Sequence, residues 1–242
     1  REHLKEFMGR ESKLTQQFFD IARQAPQRVV FAEGTHPSMM KAAVQAKEEG
    51  LCHPILLGND ERIEKLAKEL GLSLDGVEVV NLRHDREAPR RQKFAKILTE
   101  KRQRDGYTFE EANDKMFERN YFGMMMVETG EADACITGLY TKYSNTIKVA
   151  KEVIGLKDGY NYFGTMHILN SKKGTYFIAD TLINRSHDVE SLKEIARLTE
   201  QTVRFYNHEP VMAMVSYSNF GSDKGGSAGR VKTAVEQLQS EN

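Results

Sequence analysis

The chain has 242 residues, enough for one large domain or two small ones. Lys and Arg total 35 and Asp and Glu total 35, so there is no cationic surplus of the kind that bulk nucleic-acid binding needs, although a local basic pocket is not excluded. Hydrophobic residues make up 39% and charged residues 29%: a sizeable core under a charged surface, with no apolar run near the ~18 residues of a membrane span.

The start, Arg1-Glu2-His3-Leu4-Lys5, has neither the pattern of a signal peptide nor an initiator Met, so the chain is expected to begin inside a longer protein. Leu4, Phe7, Met8, Leu14, Phe18 and Ile21 share one face of a helix over 2–25, which Pro26 ends. Arg28-Val29-Val30-Phe31-Ala32 follows as a short buried strand. The turn Glu33-Gly34-Thr35-His36-Pro37-Ser38 leads to a helix over 39–49, with Ser38 as its cap. A strand over 54–57, a helix over 61–70 and a strand over 77–80 complete a strand–helix alternation, the signature of a parallel, doubly wound sheet. Two long helices are expected next, over 88–104 and 109–129. Thr108 and Glu111 form a capping box at the second. A strand over 132–137, a polar loop over 139–145 and a helix over 146–154 follow.

The pattern changes after Leu156-Lys157-Asp158-Gly159. Runs over 160–169 and 175–179 read as an antiparallel hairpin. A helix over 189–206, a strand over 211–217, a mobile Gly/Ser linker and a helix over 230–240 come after it. The division is therefore expected to give a first α/β subdomain over 1–156 and a partial second one over 157–242. Cys52 and Cys135 are too few for a disulfide framework and lack paired zinc spacing. Both are expected to be buried thiols in a reducing, cytoplasmic setting. Met124-Met125-Met126 reads as core filling.

Ligands of open α/β sheets bind beyond the carboxyl ends of strands. Three strand ends carry polar residues. At the first, the loop from Thr137 to Lys148 brings hydroxyls and free N–H groups to a helix start, either as an anion site or as a capped helix on a solvated loop. Ser216-Tyr217-Ser218-Asn219-Phe220-Gly221-Ser222 offers hydroxyls and close backbone approach, or a flexible connection. Asp180-Thr181-Leu182-Ile183-Asn184 places an acid where it caps a turn or faces a ligand. The helix over 88–104 is strongly basic, and one of its cations, such as Arg102, is able to turn inward toward a phosphate. No Walker spacing, dinucleotide glycine fingerprint or catalytic triad motif is present.

Arg119-Asn120-Tyr121-Phe122-Gly123-Met124-Met125-Met126-Val127, Gly130-Glu131-Ala132-Asp133-Ala134, Ser144-Asn145-Thr146-Ile147-Lys148, Phe177-Ile178-Ala179-Asp180-Thr181 and Ala213-Met214-Val215-Ser216-Tyr217-Ser218 together resemble the phosphate acetyl/butyryltransferase family. The likeness runs through nearly the whole chain in order. The form of Ser216-Tyr217-Ser218-Asn219-Phe220-Gly221-Ser222 is more similar to the phosphotransacetylase-like C-terminal domain of bacterial NADP-dependent malic enzymes. The resemblance implies two doubly wound α/β subdomains with a cleft between them, of isocitrate/isopropylmalate dehydrogenase type, the second incomplete here.

It further implies that Arg102 handles phosphate, that Thr146 supplies a hydroxyl, and that Lys148 stands where the family has a second arginine. Lys cannot form the bidentate fork that Arg makes with phosphate. Ser144, Ser216 and Ser218 complete the ligand-binding set implied for acetyl-CoA or phosphate. A Ser-Arg pair and an Asp that the family uses lie in a later segment that these residues do not include. The domain is therefore expected to bind acetyl-CoA as an effector without catalysis of its own. An attached malic enzyme catalytic domain would convert malate to pyruvate and CO2 with NADP and a divalent metal, Mg or Mn, in a homo-oligomer that engages neither nucleic acid nor membrane. The alternatives are an active phosphate acetyltransferase and a structural oligomerisation domain.

Overall fold

A computed structural model describes residues 13–171, 174–219, 222–223 and 225–241. Strands that sit between two helical layers read as continuous apolar runs, and the four runs in the first part of the chain form such strands. They are β1 (Gln27–Phe31), β2 (Cys52–Leu57), β3 (Glu78–Val80) and β4 (Ala134–Ile136). All pair in parallel, in the order β3-β2-β1-β4, with Val30 opposite both Ile55 and Cys135. Alternate side chains feed two cores. Val30, Ala32, Ile55 and Leu57 face one; Phe31, Cys52 and Leu56 face the other.

Helix α1 is Lys13–Gln24; the first part of the helix expected over 2–25 lies outside the described residues. Helices α2 (Pro37–Glu48) and α3 (Asp60–Leu70) cover one face of the sheet through Met39, Met40, Ala43, Ile63 and Ala67. The other face receives α4 (Ala88–Arg102), α5 (Phe109–Lys115), α6 (Arg119–Glu128) and α7 (Tyr143–Val153). Phe94, Leu98, Phe122, Met125, Val149 and Val153 fill that core, and the expectation of Met124-Met125-Met126 as core filling holds.

Several boundaries correct the sequence reading. His36, not Ser38, caps α2: its Nδ1 accepts from the Ser38 N–H at 3.1 Å. The helix expected over 109–129 is two helices. Backbone bonds from Met116, Phe117 and Glu118 to carbonyls three residues back close a turn between them. The capping box of Thr108 and Glu111 is present at α5. Helix α7 begins three residues earlier than expected, at Tyr143, so Thr146 lies in its second turn.

Contacts divide the chain between Gly155 and Leu156. The second unit holds an antiparallel hairpin, β5 (Met166–Ser171) and β6 (Gly174–Ala179), and helices α8 (Val189–Phe205) and α9 (Gly226–Ser240). Ile195, Ala196, Val203, Ala228 and Ala234 are its buried apolar residues. Asp188 and Ser191 form a capping box at α8. The strand expected over 211–217 is not formed: this run has no ladder partner among the described residues, and Val211 is 97% exposed. A strand exists only as part of a ladder, and β-rich composition does not supply the partner. The glycine-rich run read as a linker instead forms the start of α9. Among the described residues, no helix is long and apolar enough to cross a membrane.

Candidate functional site

The chain leaves β1 through α2 toward β2 on one side of it, and later returns to β4 on the other side. Connections therefore diverge at the carboxyl ends of β1 and β4, the place where open α/β sheets form ligand crevices. A connected polar network occupies this point. Glu33, two residues past β1 and fully buried, accepts through Oε1 from the Thr137 hydroxyl and the Gly138 N–H, each at 3.0 Å. Its Oε2 has no hydrogen-bond partner.

Asn120 Oδ1, 2.6 Å from the Thr137 hydroxyl, is the alternative acceptor for its single proton, and Asn120 Nδ2 donates to the Thr141 hydroxyl at 3.4 Å. The hydroxyls of Thr141 and Thr146 lie 3.1 Å apart. The network thus runs from a buried carboxylate to a hydroxyl on α7. Lys142, the N-cap of α7, makes no side-chain cap, so the helix presents N–H groups not satisfied by a side chain at the same place. Gly34 keeps the β1–α2 turn tight: a Cβ there would stand 2.8 Å from the Leu57 carbonyl oxygen.

Of the residues singled out in the sequence, Thr146 joins this network. Ser144 lies exposed in the first turn of α7. Lys148 is 67% exposed, with Nζ 3.8 Å from the Glu152 carboxylate. Arg102 is not brought to Thr146. It ends α4, and its Nε and Nη2 donate to the carbonyl oxygens of Glu152 and Lys151 at 2.6 and 2.5 Å, at the C-terminal end of α7. Six residues of helix, about 9 Å, separate that end from Thr146.

In the second unit, Ser216 Oγ accepts from the Ser218 N–H at 3.2 Å, and Ser218 Oγ accepts from the Asp223 N–H at 3.0 Å, a local turn network. Asp180, at a left-handed φ of 58°, pairs with His187 Nε2 at 2.6 Å and accepts from Asn184 at 3.0 Å, holding the loop after β6 closed.

The phosphate acetyl/butaryl transferase family matches residues 13–242. The chain belongs to this family. It is 36% identical to the NADP-dependent malic enzyme of Escherichia coli (strain K12) over 240 residues, covering 98% of this chain and 31% of that protein. It is 31% identical to the phosphate acetyltransferase of Bacillus subtilis (strain 168), covering 86% of this chain and 64% of the relative. The chain therefore spans about a third of the length of the malic enzyme relatives it matches. A phosphotransacetylase from Streptococcus pyogenes superposes with a TM-score of 0.81 at 28% identity, covering 94% of this chain and 70% of that one.

Within this family framework, Glu33 and Asn120 are site residues that sequence reasoning passed over, while Thr141 lies in the hydroxyl-rich run it singled out. Glu33 carried the usable signal, an acid directly behind the buried run Val29-Val30-Phe31-Ala32. Asn120 sat inside a quoted motif, with nothing local to show that it faces Thr137. Electrostatics separate the inner wall from the helix end. Burial pushes the Cys135 thiol up to about 12, and the nearby Glu33 adds to this. At the far end of α7, burial raises Glu152, but hydrogen bonds from Tyr107 (2.5 Å) and Tyr121 outweigh it and hold the carboxyl below its ordinary value. Among the described residues, no three His, Cys, Asp or Glu side chains cluster as a metal ion requires.

Proposed function

We propose that this chain is a phosphotransacetylase-like effector domain that binds acetyl-CoA or phosphate and regulates an attached malic enzyme catalytic domain. Thr146 and Ser144 on α7, with Lys148, are the proposed contacts on the first unit, and Ser216 and Ser218 those on the second. The doubly wound, dehydrogenase-like character of both subdomains is part of this reading, as are a homo-oligomeric, cytoplasmic protein and conversion of malate to pyruvate and CO2 by the attached domain. In this reading NADP and Mg or Mn serve the attached catalytic domain.

The fate of the two phosphate-handling cations carries the reading. Arg102 spends its guanidinium on carbonyls of α7 and Lys148 pairs with Glu152, so the double arginine clamp suited to phosphoryl chemistry is not assembled in the first unit. Transfer of an acyl group to CoA also needs a base for the thiol and donors for the developing oxyanion. The only ionisable group in the polar network, Glu33, is sealed from solvent. An effector acts by binding two states of its protein unequally, which demands a binding site but no base.

The test uses the full-length protein. Calorimetry with acetyl-CoA is expected to give saturable binding, and acetyl-CoA is expected to change the malate dependence of NADP reduction. Formation of acetyl-CoA from acetyl phosphate and CoA would overturn the effector reading in favour of an active transferase. Absence of both acetyl-CoA and phosphate binding would leave the domain a structural one.

A further inference from the structure

We propose that Arg119 is the guanidinium that binds a phosphate dianion at the switch point, in the role the family likeness assigned to Arg102. This rests on the binding-site reading above and adds a residue to it. Four arginines among the described residues are buried or half-buried, and three of them have carboxylate or carbonyl partners. Arg90 pairs with Glu87 and Glu131 at 3.0 and 3.1 Å. Arg91 donates to the carbonyls of Leu82 and His84 at 2.6 and 2.9 Å. Arg102 donates to Glu152 and Lys151 as described. The side chain of Arg119, half-buried at the first position of α6, makes no hydrogen bond and no ion pair among the described residues. Its five donors remain available.

The side chain is nevertheless held in place. Its guanidinium carbon lies 5.1 Å from the centroid of the Tyr140 ring, and the His36 ring meets Tyr140 edge-on at 5.3 Å. His36 is anchored in turn, since its Nδ1 caps α2. A cation resting on an aromatic face keeps the edges of its planar fork free for a bidentate oxyanion. The position is also the right one. Asn120, the next residue, bonds both Thr137 and Thr141, and Tyr140 precedes Thr141, whose hydroxyl meets that of Thr146. Arg119 is thus attached to the hydroxyl end of the network. Glu33, the carboxylate of the network, is fully buried and shows no surface to an incoming anion.

The experiment measures binding of inorganic phosphate and, separately, of acetyl-CoA to the full-length protein by calorimetry. Arg119→Met is expected to weaken phosphate binding at least 10-fold, the size of a lost charge-assisted pair. Arg119→Lys should recover only part of it, because an ammonium lacks the fork. Arg62→Met, which removes an exposed arginine on α3, is expected to leave the affinity unchanged. Unfolding midpoints equal to the parent's confirm that the Arg119 variants fold. Undiminished phosphate affinity in Arg119→Met, or no phosphate binding by the parent protein, overturns the proposal. Phosphate binding that depends on Arg119 without any acetyl-CoA binding upholds the site while removing acetyl-CoA as the effector.

Discussion

The Arg102 guanidinium donates to the main-chain carbonyl of Glu152 at 2.6 Å, so the last residue of α4 caps the C-terminal end of α7. Its second bond, to the Lys151 carbonyl, satisfies another acceptor that a helix end leaves open. The positive charge also stands at the negative end of the helix dipole. Arg102 therefore holds the helix that presents Thr146, from the opposite end.

Replacing it should cost stability rather than ligand contacts. Arg102→Met removes two charge-assisted bonds to carbonyls, for a loss of roughly 1–3 kcal/mol. Urea unfolding followed by circular dichroism reads this directly. A variant as stable as the parent but unable to bind acetyl-CoA would return Arg102 to the ligand site.

Glu152 predicts a pH dependence on the same helix. Tyr107 and Tyr121 both donate to its Oε2, while Lys115 lies over both tyrosine rings, 5.5 and 4.7 Å from their centroids. Because the folded carboxyl is held below its ordinary value of 4.5, its contribution is complete above that value and is lost as pH falls through the lowered one. Tyr121→Phe removes one donor and leaves the burial that pushes the carboxyl up. The acid-side fall in melting temperature should then begin at higher pH than in the parent. Superimposable melting profiles between pH 3 and 7 would show that the tyrosine bond does not set the Glu152 charge.

Cys135 offers a chemical check on the inner wall. With its thiol pushed up to about 12 by burial and by Glu33, almost no thiolate is present near neutral pH. Iodoacetamide at pH 8 is expected to leave Cys135 unmodified in the folded protein and to alkylate it in urea, read by peptide mass spectrometry. Glu33→Gln removes the charge that adds to the shift. Rapid native labelling of Cys135 in the parent would contradict the packing of its Sγ against α6, where a Cβ on Gly123 would approach it to 3.0 Å.

Much of the first unit was legible in the residues because its elements announce themselves locally. The apolar runs at Val29-Val30-Phe31 and Ile55-Leu56-Leu57, separated by amphipathic stretches, suffice for a parallel sheet. Thr108 with Glu111 marks a helix start on chemistry that spans three residues. The run over 211–217 shows the limit of such reasoning. Its β-rich composition is real, but no described strand pairs with it.

The site divides in the same way. The sequence by itself determined that a loop rich in hydroxyls follows β4, that Thr146 stands on the helix after it, and that a lysine occupies position 148, because these are matters of residue identity and spacing. It also determined the family, because its motifs stand in order along nearly the whole chain. Only the tertiary structure decided that Arg102 serves the far end of α7, that Arg119 stands unpaired over Tyr140, and that Glu33, Thr137, Asn120 and Thr141 connect to Thr146. These contacts join residues 17 to 105 positions apart, wherever the partners are not on one loop. Hydrogen-bond geometry over such separations is set by how strands and helices pack, and no local pattern carries it.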